Sequence, residues 1–292
     1  MATTLHILSP AKINLFLHVR RRRPDGYHDL FTLMCRVGLY DRIEIGEGGD
    51  AIRLECSDPA LPTDEGNLAF RAAQRFFDAL GRPGGARIRL EKRIPAGAGL
   101  GGGSSNAASV LLGLNRLYGA PLSRARLLGL GKGLGADVPF FVFQSSALAS
   151  GIGDRLEAYS RIPPLTAVVV CPPLSVSTRM VYQNLNLQLT NRTKPPTRAH
   201  LKTAAFDPLQ HLCNDLETVT LALHPELTVI KRRLIELGAL GSLMSGSGSG
   251  IFGLFRDRGA ARNAADALAG TTGWRVFCAE LLTGPVDLIQ AM

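Results

Sequence analysis

The sequence predicts an α+β fold made of two packed subdomains. Three observations carry the prediction. At 292 residues the chain is long enough for one large domain or two smaller ones. Strand-like alternation and helical periodicity are interleaved, without the strict β-α-β repeat of a doubly wound sheet. The pattern then restarts near residue 155, which places subdomains at 1–158 and 159–292.

Residues 11–20, AKINLFLHVR, open the first subdomain. Ile13, Leu15, Leu17 and Val19 fall on one face, and Lys12, Asn14 and His18 on the other, with Phe16 among them. Period two marks a strand buried on one side, with Lys12 and Asn14 pointing the same way about 7 Å apart. PDG at 24–26 reads as a turn presenting Tyr27 and His28. Strands are expected over 36–45 and 51–56. Residues 66–80 carry Leu68, Ala72, Phe76, Ala79 and Leu80 at helical spacing, and Gly81 stops the helix. Alternation returns over 86–95 and leads into PAGAGLGGGSSNAAS at 95–109. A helix follows, with Ala107, Val110, Leu111, Leu114, Leu117 and Tyr118 on its apolar face and Ser104 or Ser105 as N-cap. A weaker, glycine-diluted helix over 121–134 ends in GLGADVPFFVF, where Asp137 stands in a turn before a strongly apolar strand.

In the second subdomain TAVVVC at 166–171 is a buried strand, and 189–200 is a polar, proline-containing loop. Residues 214–238 are helical, broken at Pro225. Residues 242–255 give strand, glycine loop, strand. A helix over 258–269 and the strand WRVFCAEL close the chain.

Hydrophobic residues make up 46% and charged residues 20%, a globular composition. No run of about 18 apolar residues exists, so no membrane span or membrane partner is expected. The start lacks a basic segment followed by an apolar one, so no secretory signal is expected. Five widely spaced cysteines without a CxxC pair read as reduced thiols of a cytoplasmic protein. His6, His18, His200, His211 and His224 show no metal-ligand spacing. The net charge of +9 suits an anionic partner. Its densest cluster, Arg20 to Arg23, is short and lacks interleaved aromatics, so it fits the rim of a small-molecule site better than a nucleic-acid surface.

The glycine loop admits three readings. Gly97, Gly99 and Gly102 satisfy G-x-G-x-x-G, but a dinucleotide site needs an acid about 20 positions on, and LYGAPLS has none. A Walker A loop needs a lysine before its serine or threonine, and here Ser104, Ser105 and Asn106 follow the glycines. What remains is a nest of backbone N–H groups continued by a helix N-terminus, both attractive to phosphate. Asp137, alone, is a cap more often than a base, but a carboxylate beside VPFF is costly unless paired or used. With Lys12 and a phosphate loop it completes what phosphoryl transfer to an alcohol needs. These are a carboxylate at the hydroxyl, a cation for developing charge, and a cradle for the γ-phosphate.

Three blocks, SPAKINLFLHV, PAGAGLGGGSSNAA and MSGSGSGIFGLF, occur in the order that marks the GHMP kinase superfamily, and the chain resembles it over nearly its whole length. The runs AKINLFLHVRRRRPDGYHDL, GGGSSNAA and GADVPFF narrow the likeness to a branch that phosphorylates CDP-methylerythritol in non-mevalonate isoprenoid biosynthesis. The resemblance implies a ribosomal-protein-S5-like N-terminal subdomain and a ferredoxin-like C-terminal subdomain, with the active site in the cleft between them. It implies ATP, carried with Mg2+, as phosphoryl donor. Lys12 and Asp137 match the catalytic pair. Pro95, Ala96, Gly97, Ala98, Gly99, Leu100, Gly101, Gly102, Gly103, Ser104, Ser105 and Asn106 match the ATP-phosphate cradle, and Asn67 and Lys92 lie near the adenine nucleotide. Asn14 and Thr178 would contact substrate. Tyr27 and Tyr182 would stack on the two faces of cytosine, with His28 bonding its edge. The loop 245–250 would close the cleft.

Three departures from the family pattern stand out. Gly102 and Gly103 occupy the place where two serines commonly follow GLG, so the metal-facing hydroxyl stays open between Ser104 and Ser105. Gln144, Ser145 and Ser146 replace glycines after PFF, and Asp154 replaces a glutamate. A sister activity on a homoserine- or mevalonate-type alcohol is the alternative within the superfamily. A monomer or homodimer without nucleic acid is expected.

Overall fold

A computed structural model describes residues 3–81, 84–187, 196–284 and 288–291. The chain first forms β1 (Thr4–Arg22), β2 (His28–Glu47), β3 (Arg53–Cys56), α1 (Leu68–Leu80), β4 (Ala86–Glu91), α2 (Gly102–Leu117), α3 (Arg124–Lys132), α4 (Val138–Phe143), β5 (Ala147–Gly151) and β6 (Arg155–Ala158). It continues with β7 (Thr166–Cys171), α5 (Thr178–Gln183), α6 (Arg198–Thr203), α7 (Pro208–His211), β8 (Cys213–Asn214), α8 (Glu217–Leu223), α9 (Glu226–Glu236), β9 (Gly241–Met244), β10 (Ile251–Phe255), α10 (Arg258–Ala269), β11 (Arg275–Leu282) and β12 (Ile289–Ala291).

Strands β1 and β2 form a hairpin much longer than the alternation predicts. The PDG turn closes it, with the Arg23 N–H donating to the Tyr27 carbonyl at 2.8 Å. Beyond β2 the strand order runs β11, β7, β10, β9, and β12 flanks β1 on the other side. The long β2 serves different neighbours along its length: β5 over Leu30–Met34, β11 at Arg36 and Val37, and β4 over Arg42–Glu47. Because β11 pairs with both β2 and β7, one sheet runs through both halves of the molecule.

The alternation in β1 breaks in a way the sequence does not announce. A register shift between Asn14 and Phe16 leaves Leu15 without a cross-strand partner. Such a bulge flips the parity of the side chains that follow, here as far as the next shift between Val19 and Arg21. Leu17 therefore joins Lys12 and Asn14 at the cleft instead of following Ile13 into the central core. The expectation of one buried face is also corrected: Lys12 and Asn14 are each only 3% exposed.

Helices α1 and α2 pack on the sheet. In α1 the buried stripe is Ala69, Ala72, Ala73, Phe76 and Phe77, rotated by one position from the face read in the sequence. The expected serine N-cap of α2 is replaced by Gly101, in the left-handed region at φ +70°. Gly113 lets α2 approach closely, since a Cβ there would lie 2.5 Å from Ile7 Cδ1. The apolar VPFFVF is helix α4, not the expected strand, and Val138 to Val142 are all buried. A short, continuously apolar run has no periodicity to separate the two states, and Pro139 is tolerated in a first helical turn. Gln144 ends α4 in the left-handed region at φ +57°, a backbone position that favours glycine. Part of the expected loop over 189–200 lies outside the described residues, and its end forms α6. The break at Pro225 separates α8 from α9 as expected.

Candidate active site

One cleft of about 1140 Å³ collects almost every residue singled out above. Its walls include Lys12, Asn14, Tyr27, His28, Asn67, Lys92, residues 95–103, Ser104, Asn106, Asp137, Thr178 and Tyr182. Ser105 is the exception. Its hydroxyl lies 2.8 Å from that of Ser9 in a fully buried contact, and its N–H makes the first intrahelical bond, to the Gly101 carbonyl. Ser105 therefore points away from any bound phosphate. Ser104, one residue earlier and about 100° away around the helix, is the serine that meets the cleft.

Lys12 stands at the middle of the cleft. Its ammonium donates to Asn14 Oδ1 at 2.6 Å and lies 3.6 Å from Asp137 Oδ2. A buried ammonium needs such partners, because desolvation alone would drive it towards neutrality. Asn14 is fixed in turn: its amide donates to Thr32 Oγ1 at 2.9 Å, and that hydroxyl donates to the Phe16 carbonyl. Asp137 occupies the position before α4 without making a side-chain cap bond. Its carboxylate is 37% exposed, so one oxygen faces Lys12 while the group stays open to the cleft.

The glycine loop forms the next wall. It is clamped from behind by the loop between β9 and β10. Gly250 N–H donates to the Ala98 carbonyl at 3.1 Å, and the Ser245 hydroxyl donates to the Gly99 carbonyl at 2.9 Å. The fit is so close that a Cβ on Gly99, at φ +70°, would sit 2.0 Å from the Ser245 oxygen. Asn214 braces the second loop by donating to the carbonyls of Met244 and Gly246. At the end of the first loop, the N–H groups of Gly102, Gly103 and Ser104 have no intrahelical acceptor, and α2 adds the positive end of its dipole.

Lys92 and Asn106 enter the cleft through a hub that the sequence reading missed. Asp41 is wholly buried and binds the Lys92 ammonium, the Asn106 amide at 2.9 Å, and the N–H groups of Arg93 and Ile94 at 2.7 and 2.8 Å. It anchors the start of the glycine loop to β2. A signal existed: Asp41 shares strand parity with the buried Ile43 and Ile45, and a carboxylate on an apolar face needs a purpose. Asn67 lines the cleft, but both ends of its side chain are occupied locally. Its oxygen caps α1 at Ala69 N–H, and its amide donates to the Pro62 carbonyl.

At the far end of the cleft His28 and Tyr182 stack at 5.1 Å with their planes 27° apart. Burial, and then the Arg22 charge, lower the His28 pKa below its ordinary 6.5, so the ring is neutral at physiological pH. Burial, with Asp137 a lesser cause, raises the Tyr182 phenol and keeps it protonated. Tyr27 is 60% exposed at the mouth, a large aromatic surface held open by the turn. Thr178 Oγ1 lies 2.7 Å from Ser247 Oγ, which ties α5 to the second glycine loop.

The family assignments agree with this arrangement. Residues 67–145 match the GHMP kinases N-terminal domain and residues 201–272 the GHMP kinases C-terminal domain. A curated relative from Syntrophotalea carbinolica, named 4-diphosphocytidyl-2-C-methyl-D-erythritol kinase, is 49% identical over 94% of this chain and 97% of its own length. The chain belongs to the GHMP kinase family. A relative of the same name from Geobacter sp. (strain M21) is 48% identical over 92% of this chain and 96% of its own length. The crystal structure of a 4-(cytidine 5'-diphospho)-2C-methyl-D-erythritol kinase matches with TM-score 0.82 and 43% identity, covering 94% of this chain and 98% of that one. A homoserine kinase from Cytophaga hutchinsonii, at TM-score 0.72 and 18% identity over 99% of this chain and 97% of that one, shares the fold. This GHMP kinase thus has the two-subdomain fold of its family and is an ATP-dependent small-molecule kinase. Among the described residues no helix is long and apolar enough to cross a membrane.

Proposed function

We propose that this kinase transfers the γ-phosphoryl group of ATP to the 2-hydroxyl of 4-diphosphocytidyl-2-C-methyl-D-erythritol, giving the 2-phosphate and ADP in non-mevalonate isoprenoid precursor synthesis. The observation that carries the reading is the position of the Lys12–Asp137 pair. It lies in one cleft with a phosphate-accepting helix end and a stacked His28–Tyr182 pair. The near full-length relatives of that name support the same substrate.

The substrate hydroxyl meets Asp137, whose carboxylate accepts the proton as the oxygen attacks phosphorus. Lys12 stands where negative charge develops on that oxygen, and Asn14 orients the lysine. The triphosphate rests on the N–H groups ending the glycine loop, with the α2 dipole behind them. Ser104 and Asp137 offer the hard oxygen donors that would meet Mg2+ arriving with ATP, and among the described residues no cluster of three acidic, His or Cys side chains forms a dedicated cage. Bound with the triphosphate, the ion would neutralise phosphate charge. Cytosine lies between Tyr27 and the Tyr182 side of the cleft, with the neutral His28 at its edge. The halves 1–158 and 159–292 each contribute one wall. The setting is cytoplasmic, as a monomer or homodimer.

One ADP-release assay with CDP-methylerythritol, homoserine and mevalonate as acceptors tests this. Turnover with the cytidyl alcohol alone is expected. Preference for either of the others would replace the reading by a sister activity.

A further inference from the structure

The charges around the cleft are unevenly compensated. Lys12 faces Asp137, and Lys92 is bound by Asp41. In the arginine run, Arg21 is matched by Asp29 at 2.6 Å, Arg23 by Asp25 and Asp29, and Arg20 lies over the Phe31 ring. Arg22 and Arg179 differ. Both are exposed and line the cleft, and neither forms an ion pair among the described residues.

Their placement converges on one point. Arg22 is the direct cross-strand neighbour of His28 in the β1–β2 ladder. Residues directly opposite in an antiparallel pair project from the same sheet face with Cβ atoms about 5 Å apart. Arg179 precedes Tyr182 by three positions on α5, so the two share a helix face. Tyr182 stacks on His28. Two uncompensated guanidinium groups therefore flank the same ring stack, one from the hairpin and one from the helix.

We propose that Arg22 and Arg179 form a clamp for the diphosphate of the cytidyl substrate. The inference rests on the substrate reading above. With the base at the His28–Tyr182 stack and the reacting hydroxyl at Lys12 and Asp137, the diphosphate must pass between them. Guanidinium groups suit it, since they bind phosphate oxygens through paired N–H donors and stay charged at every relevant pH. The phosphates of ATP are served separately by the glycine loop. The clamp also gives the basic tract a use: Asp29 and Asp25 neutralise its neighbours and leave one arginine directed at the substrate.

The test compares Arg22→Gln, Arg179→Gln, their Lys counterparts and Arg21→Gln as a control on the opposite strand face. Inhibition constants of CDP and cytidine against the cytidyl substrate are measured together with KM for both substrates. Each Gln variant is expected to raise KM for the cytidyl substrate about ten-fold, in keeping with loss of a charge-assisted hydrogen bond. Each should lower the preference for CDP over cytidine by a similar factor while KM for ATP holds. The Lys variants should recover part of the preference, and Arg21→Gln should match the parent. An unchanged CDP-to-cytidine ratio, an effect on ATP instead, or an equal loss in Arg21→Gln would overturn the clamp. If the parent enzyme were inhibited by neither CDP nor cytidine, the cytidyl reading itself would fall and take the clamp with it. That result differs from every outcome in which only the arginines fail.

Discussion

At the scale of single residues, the chemistry concentrates on two charges of opposite sign. Lys12 is buried and braced by Asn14, whereas Asp137 keeps an open face, so the carboxylate is the group free to meet an incoming hydroxyl. Asp137→Asn keeps the shape and removes the proton acceptor. It is expected to lower kcat by about two to four orders of magnitude, the usual worth of a positioned general base. ATP binding should persist, as read by ADP release beside a nucleotide-binding titration. Near-normal turnover would remove Asp137 from the base role. His28 supplies a pH signature. Its pKa in the folded protein lies below 6.5, first through burial and then through Arg22. A depressed histidine pKa contributes stability that is present above the unfolded value of about 6.5 and is lost as pH falls through the folded value. Binding that needs the neutral ring follows the folded pKa, so KM for the cytidyl substrate should be flat above pH 6.5 and rise as pH falls through the lower folded value. The rise should vanish in His28→Gln; an identical profile in that variant would assign the titration elsewhere.

Between residues and the whole molecule, the elements that matter are the two glycine loops and the hub behind them. The first loop is held by main-chain and serine contacts from the second, and by Asp41 through Lys92, Asn106 and two N–H groups. Such preorganisation keeps the phosphate-facing N–H groups in place before ATP arrives. Gly99→Ala tests it. The new methyl would enter a left-handed backbone position and strike the Ser245 carbonyl, whereas a Cβ on Gly103 meets nothing nearer than Leu68 Cδ1 at 3.7 Å. Left-handed strain alone costs about 1–2 kcal/mol, before the clash is relieved. Gly99→Ala should therefore raise KM for ATP about ten-fold or more and lower Tm. Gly103→Ala should change Tm little. Equal behaviour of the two variants would mean that loop contact does not set ATP affinity.

The molecule as a whole is joined more tightly than a two-subdomain description suggests. Strand β11 comes from the end of the chain yet pairs with β2 of the first half and β7 of the second, and β12 adds to β1. The central core draws Ile13, Leu15 and Val37 from one half and Ala167, Val169 and Leu254 from the other. Cutting either half away would expose much of this apolar surface to water, at about 25 cal/mol for each Å² uncovered. Unfolding should accordingly appear in calorimetry as one cooperative transition, with equal calorimetric and van't Hoff enthalpies. Two resolved transitions would show that the halves melt independently.

The sequence by itself determined the parts and much of their order. Alternation located the β1–β2 core strands, helical spacing located α1, α2 and α10, and the glycine loop, Lys12 and Asp137, singled out together from the sequence, line one cleft. These signals are local: side-chain period and loop composition need no neighbour to be read. Tertiary structure alone decided which serine meets the cleft, since Ser104 and Ser105 are neighbours about 100° apart around the helix and only its packing on the sheet fixes which one faces out. It made VPFFVF a helix, because an unbroken apolar run fits either state until its packing partners are present. The bulge at Leu15, the buried Asp41 hub, and the placing of Arg22 and Arg179 on one cleft across a sequence gap of over 150 positions follow from contacts between distant segments, which no local pattern encodes.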